Sequence, residues 1–90
     1  ITVSTTSTLT FQWSVSSEAG WDYLLFCLDN DGCTRTAGYN RRISGTSAFT
    51  ATSTALSAGT HSLRWLYAKD SGVSVGSDVG WIDDVTITTP

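Results

Sequence analysis

The chain is poor in charge, proline and histidine, and it has no methionine. Charged residues make up 14% of its 90 residues, and the single proline is the last residue; a typical soluble domain carries about a quarter charged residues. No apolar run approaches the 18 or more residues that span a bilayer. No basic segment followed by an apolar run opens the chain, which fits either a processed product or an excised domain. We therefore expect no membrane insertion.

Positive charge is also scarce. Five Lys and Arg stand against eight Asp and Glu, giving a net charge of −3, so nothing in the balance favours binding to a phosphate backbone. Hydrophobic residues at 40% argue against disorder. The length predicts one module over residues 1–90. Its Thr-rich ends, residues 1–8 and 86–90, have the composition of junctions to neighbouring segments.

The sequence is rich in hydroxyl residues, and its apolar residues recur at every second position. Thr and Ser together supply 28 of the 90 residues, and β-branched Thr packs well on pleated sheets. Apolar residues alternate with polar ones, which is typical of half-buried strands. We predict an all-β, antiparallel, jelly-roll-like sandwich of about six strands: Thr8–Ser16, Trp21–Asp29, Arg41–Ser44, Ser47–Thr54, His61–Lys69 and Val79–Thr88.

The same alternation predicts which side chains face the core. In the fourth strand it places Phe49 and Ala51 inward, and in the fifth it places Trp65 inward. In the last strand it puts Asp83 on one inner face with Trp81, Val85 and Ile87. We therefore expect both Trp65 and Trp81 to be core residues.

The chain has two cysteines, Cys27 and Cys33, which enclose a five-residue turn. This spacing places them on facing arms of a hairpin and favours a local disulfide, which implies an oxidising compartment. Two free thiols are the alternative. Two cysteines and the single His61 do not make a zinc site.

Acidic residues near the last strand suggest a cation. Burying the carboxylate of Asp83 on an inner face costs free energy unless the carboxylate is hydrogen-bonded, paired with Arg64 or bound to a metal. Calcium takes six to eight oxygen ligands, and we name four residues as a candidate structural calcium site: Glu18, Asp22, Asp83 and Asp84. A hydrogen-bonded structural pair is the competing interpretation. The Asp29-x-Asp31-Gly32 run lacks the later calcium ligands of an EF-hand loop, and we interpret it as a turn.

Two aromatic residues and one loop are candidates for ligand binding. Trp21 and Tyr39 do not follow the alternation and lie near loops, where an aromatic ring can stack on a sugar. The Gly/Ser-rich stretch after the fifth strand is bounded by Lys69, Asp70 and Asp78, and loops of sandwiches often bind ligands. The competing interpretations are packing under a loop and a plain surface connection. His61 has no serine nucleophile at a recognisable spacing, so we expect no enzyme.

Four stretches resemble a family: WSVSSEAGWDYLLF, RRISG, LSAGTHSLRWLYAKD and GSDVGWIDDV. They are similar to the MAM-like, concanavalin A-type jelly-roll modules of bacterial secreted and surface proteins, and the likeness runs from Leu9 to Thr88. Only residues 1–8 precede the first motif, where the family usually has several strands. The chain therefore resembles the C-terminal half to two-thirds of such a module, an incomplete sandwich.

The resemblance implies an extracellular or cell-surface location and a non-catalytic adhesion or ligand-binding role, with a glycan or a protein as the ligand. A second hypothesis is a structural subunit that self-assembles in an extracellular layer or filament. It follows from the open strand edges of an incomplete sandwich, because open edges pair with neighbouring chains.

Overall fold

A computed structural model describes residues 1–69 and 79–89, and all regular structure in this part of the chain is strand. The strands are β1 (Thr2–Val3), β2 (Ser7–Ser16), β3 (Tyr23–Leu28), β4 (Arg41–Ser44), β5 (Thr46–Leu56), β6 (Gly59–Thr60), β7 (Leu63–Ala68) and β8 (Val79–Thr88). The prediction of an all-β fold is confirmed, and the six longer strands fall where the alternation placed them.

Two three-stranded antiparallel sheets build the fold. The first sheet has the order β5-β2-β8 and the second has the order β4-β3-β7, while β1 and β6 form a small separate pair. This arrangement is consistent with a small sandwich. A jelly roll has eight strands in two sheets, and none is identified in the described residues.

The core lies between the two central strands. Leu9, Phe11, Trp13 and Val15 alternate along β2 and are all at most 2% exposed. They pack against Leu24 and Phe26 of β3 and against partly buried Trp65 of β7. The ring of Phe11 has its centroid 5.0 Å from that of Phe26 and 5.2 Å from that of Trp65. The prediction that Trp65 faces the core is confirmed.

A β-bulge in β8 overturns the predicted inner face of that strand. The ladder pairs Thr10 with Thr86 but Gln12 with Asp83, so Asp84 and Val85 both lie opposite Phe11. Asp84 has a φ of 52°, in the left-handed region that such bulges use. The extra residue exchanges the two faces of the strand.

The prediction that Trp81 and Asp83 face the core is therefore wrong. Trp81 is 42% exposed and Val85 is 49% exposed. Ile82, before the bulge, and Ile87, after it, pack against the core instead. Asp83 is exposed as well, so its carboxylate needs no buried partner. Among the described residues Arg64 does not pair with it, and the Arg64 Nη1 donates to the carbonyl of Asp31.

The inner face of β5 is polar, and the predicted assignment of Phe49 and Ala51 to it is wrong. The register pairs Thr50 with Trp13 and Thr52 with Phe11, so these threonines share the core-facing side. Phe49 is 48% exposed. A register shift opposite Ser14 accompanies this reversal. At this edge the first sheet consequently turns threonines, rather than an aromatic ring, toward the second sheet.

A disulfide joins Cys27 and Cys33, whose Cα atoms are 6.5 Å apart. This confirms the prediction. The bond ties the connection between β3 and β4 to the outer face of the second sheet, where Cys27, Cys33 and Leu25 form a second buried cluster. Tyr39 and Leu66 pack against its border.

Candidate functional site

A cleft opens where the edge strand β4 meets the edge strand β5. Its volume is about 440 Å³, within the roughly 300–1,000 Å³ typical of small-ligand sites. The lining residues are Trp13, Tyr39, Asn40, Arg41, Arg42, Ile43, Thr50 and Thr52. The cleft therefore combines aromatic and aliphatic surface with hydroxyl, amide and guanidinium groups.

The unequal lengths of the two edge strands help to leave this cleft open. β5 has eleven residues, whereas β4 has four, so the second sheet covers only part of the facing edge. The threonines on the inner face of β5 are also small. Trp13, 2% exposed, is part of the lining and belongs to the hydrophobic core at the same time.

Arg41 occupies an inner-face position of β4. It pairs in register with Phe26, which is fully buried, and paired residues share a face of the sheet. At this edge its side chain crosses between the sheets, and its Nη2 donates to the carbonyl of Ser53 at 3.2 Å. A guanidinium thus stands at the opening of the cleft.

Arg42 lies on the opposite face of β4, because it pairs with Leu25. Its guanidinium carbon is 4.1 Å from the ring centroid of Tyr23 and 4.7 Å from that of Tyr39. Its Nη1 donates to the carbonyl of Arg35 at 2.7 Å. Cation–π contacts and this hydrogen bond hold Arg42 in place, and they orient Tyr39 beside the cleft.

The described members of the predicted ligand-binding set do not all lie at the cleft. Tyr39 lines the cleft, but Trp21 belongs to the turn between β2 and β3, where it is 55% exposed. Lys69 is exposed just after β7. Asp70 and Asp78 lie outside the described residues. Sequence reasoning missed Arg41, because only its register with Phe26 and its hydrogen bond to β5 place it at the cleft.

The four candidate calcium ligands are not brought together. Glu18 and Asp22 belong to the turn after β2, in which the Asp22 N–H donates to the carbonyl of Glu18. Asp83 pairs with Gln12, four residues before the last residue of β2, which corresponds to about 13 Å along a strand. The described residues contain no group of three or more His, Cys, Asp or Glu arranged for a metal. Calcium stays a prediction.

The structure does gather a polar cluster that the sequence did not reveal. The Nδ1 of His61 is 2.7 Å from the Oδ2 of Asp29, and its Nε2 is 2.7 Å from the carbonyl oxygen of Ser57. Asp29 also accepts a hydrogen bond from the backbone N–H of Ser62 at 2.8 Å. Asp29 is 32 positions away from His61 in sequence, so only the fold could show that the two residues meet.

Asp29 and the carbonyl of Ser57 hold the imidazole of His61 from both sides, and we call these three residues the His61 clamp. A carboxylate and a carbonyl oxygen can only accept, so both ring nitrogens of His61 donate and the imidazolium form is favoured. The hydrogen bond to Asp29, followed by that to Ser57, raises the pKa of His61, and the hydrogen bond from His61 lowers the pKa of Asp29. The hydroxyl of Ser57 is 3.5 Å from Nε2, farther than the carbonyl that occupies this nitrogen. The geometry does not present a free base to the hydroxyl.

Comparisons with known proteins identify no relative. No protein-family model matches the chain, and neither a curated protein nor a solved structure matches it. The likeness to MAM-like modules therefore stays a prediction from four sequence motifs. Within the described ranges there is no helix of the length and hydropathy needed to cross a membrane.

Proposed function

We propose that this chain is a non-catalytic, extracellular ligand-binding module and that the cleft between β4 and β5 is its binding site. The observation that carries the proposal is the mixed lining of that cleft. Apolar side chains such as Trp13 and Ile43 lie beside Thr50, Asn40 and Arg41, and small-ligand sites typically combine apolar walls with a few polar groups that fix orientation.

Two further observations support this role. Sugars present both apolar ring faces and hydroxyl groups, and the cleft offers partners for both. The Cys27–Cys33 disulfide is compatible with an oxidising, extracellular compartment. A glycan is accordingly the ligand class that we propose first, and a protein ligand is the alternative for the same site.

The test is a binding screen on a glycan array with two matched variants. Thr50→Tyr adds bulk inside the cleft, and Ala51→Tyr adds the same bulk to the neighbouring, exposed position of β5. We expect Thr50→Tyr to abolish binding and Ala51→Tyr to preserve it. Equal binding by the two variants would show that the ligand sits elsewhere, and near-identical melting curves would confirm that both variants fold.

A second candidate function is self-assembly through strand edges, and a specific observation favours it. In the described residues β4, β5, β7 and β8 each pair on one side only. Exposed backbone edges of this kind are templates for another chain. Light scattering separates the two functions: a mass of 9.6 kDa favours the binding module, whereas a larger assembly that dissociates when proline is placed in β5 favours the structural subunit.

A further inference from the structure

The cleft carries positive charge in an otherwise acidic chain. Two of the five Lys and Arg residues, Arg41 and Arg42, line it, although the net charge of the chain is −3. No Asp or Glu is among the residues that line the cleft. Within the described part of the chain, the only ion pair joins His61 to Asp29. These arginines thus have no carboxylate partner there.

Arg41 is the guanidinium best placed to bind a ligand. It stands on the inner side of β4 at the cleft, and its one hydrogen bond to a described residue goes to the carbonyl of Ser53. A guanidinium has five N–H donors in a planar fork, so most of its donors are available. A carboxylate is the acceptor that this fork matches in a bidentate manner.

Neutral groups of the cleft suit the rest of a sugar. The Oδ1 of Asn40 accepts a hydrogen bond from the N–H of Leu28 at 2.8 Å, which fixes the amide and leaves its NH₂ group as a donor. Thr50 and Thr52 contribute hydroxyl groups that both donate and accept. A peptide chain would use backbone pairing along an edge, whereas side-chain donors around a concave site fit the hydroxyls of a saccharide.

We propose that the cleft binds an acidic saccharide, with the sugar carboxylate on Arg41 and the hydroxyls on Thr50, Thr52 and Asn40. This inference rests on the proposed function, because it names the ligand class of the same site. Arg42, fixed by Tyr23 and Tyr39, adds a positive charge next to the site. Part of the affinity is electrostatic, so it falls as ionic strength rises.

The test is an NMR titration of the ¹⁵N-labelled chain at constant ionic strength. The acidic probes are tetragalacturonate, an alginate tetramer and sialyllactose, and the neutral counterparts are methyl-esterified tetragalacturonate and lactose. Arg41→Gln removes the guanidinium. Arg35→Gln is the matched control, because it removes the same charge from a residue that does not line the cleft and keeps the carbonyl that Arg42 uses.

We expect at least one acidic probe to shift the amides of residues 39–43 and 50–52. Its affinity should exceed that of the neutral counterpart by about tenfold or more, which corresponds to one charged hydrogen bond. Arg41→Gln should lose a similar factor, and Arg41→Lys should recover part of it. Arg35→Gln should stay within about twofold of the parent, because Arg35 does not line the cleft and salt screens charges that do not contact the ligand.

The outcomes separate this inference from the function on which it rests. If neutral and acidic probes bind the cleft equally, the inference is wrong and the binding role stands. If a penta-glutamate peptide shifts the same amides at lower concentration than any saccharide, the ligand is an acidic peptide and the inference again fails. If no probe shifts the cleft amides, both the inference and the glycan-binding role are overturned.

Discussion

Reduction of the Cys27–Cys33 bond is expected to lower the free energy of unfolding by about 2 kcal/mol. The two cysteines are six residues apart, and the chain-entropy expression for a closed loop gives about 7 cal/mol/K at this length, or ~2 kcal/mol at 25 °C. Reduction breaks the S–S bond but removes no side chain. The loss therefore measures the freedom that the unfolded chain regains.

Urea denaturation in the presence and absence of a phosphine reductant is the assay. With a slope of about 1 kcal/mol/M for a small domain, the midpoint should fall by about 2 M. The melting temperature should fall by about 8–16 °C for the same loss. The double variant Cys27→Ala, Cys33→Ala is the control, because the reductant should not affect it.

Two results would contradict this reasoning. A loss under about 0.5 kcal/mol would mean that the closed loop holds its native shape even in the unfolded chain, as the hydrogen bond inside it from the N–H of Gly32 to the Oδ1 of Asn30 would allow. A loss above about 4 kcal/mol would exceed the entropic estimate. The second cluster around Leu25 would then be packed only while the bond keeps the loop in place.

Two further predictions concern the core and the His61 clamp. Phe11→Ala is expected to lower the free energy of unfolding by about 3–5 kcal/mol, because it removes a fully buried ring. Trp81→Ala should lower it by about 1 kcal/mol or less, because Trp81 is partly exposed. Chemical denaturation of both variants checks this, and equal losses would place Trp81 in the core after all. Because the pKa of His61 is raised, its contribution to the free energy of unfolding is complete below about pH 6.5 and is lost as the pH rises through the folded pKa. Because the pKa of Asp29 is lowered, its contribution is present above about pH 3.8 and is lost as the pH falls through the folded pKa. His61→Gln should remove the decline on the alkaline side when urea midpoints are compared at pH 5.5 and 8.5, and an unchanged decline would assign it to another group.

The strands could be predicted because their signal is local. Alternation along β2 predicts both the strand and its inner face, since each buried residue is two positions from the next. The same rule failed in β8 because one inserted residue at Asp84 exchanges the faces, and no periodicity marks the insertion in advance. It failed in β5 because Phe49 is apolar yet exposed, while Thr50 and Thr52 take the inner positions of an edge strand.

The cleft and the clamp depend on pairing that a linear pattern does not contain. Arg41 becomes a candidate ligand-binding residue only when its register with Phe26 and the position of β5 are known. His61 meets Asp29 across 32 positions of sequence. Tyr39 was identified from its departure from the alternation, which is a local property, and it does line the cleft.

The four tryptophans differ in exposure, so the intrinsic fluorescence of the protein can be used to detect ligand binding. Trp21 and Trp81 are 55% and 42% exposed, while Trp13 is 2% exposed at the cleft. Iodide in solution should quench the emission of the two exposed indoles and leave a blue-shifted signal from the shielded ones. Because Trp13 lines the cleft, a change in that residual fluorescence would report occupancy without any label.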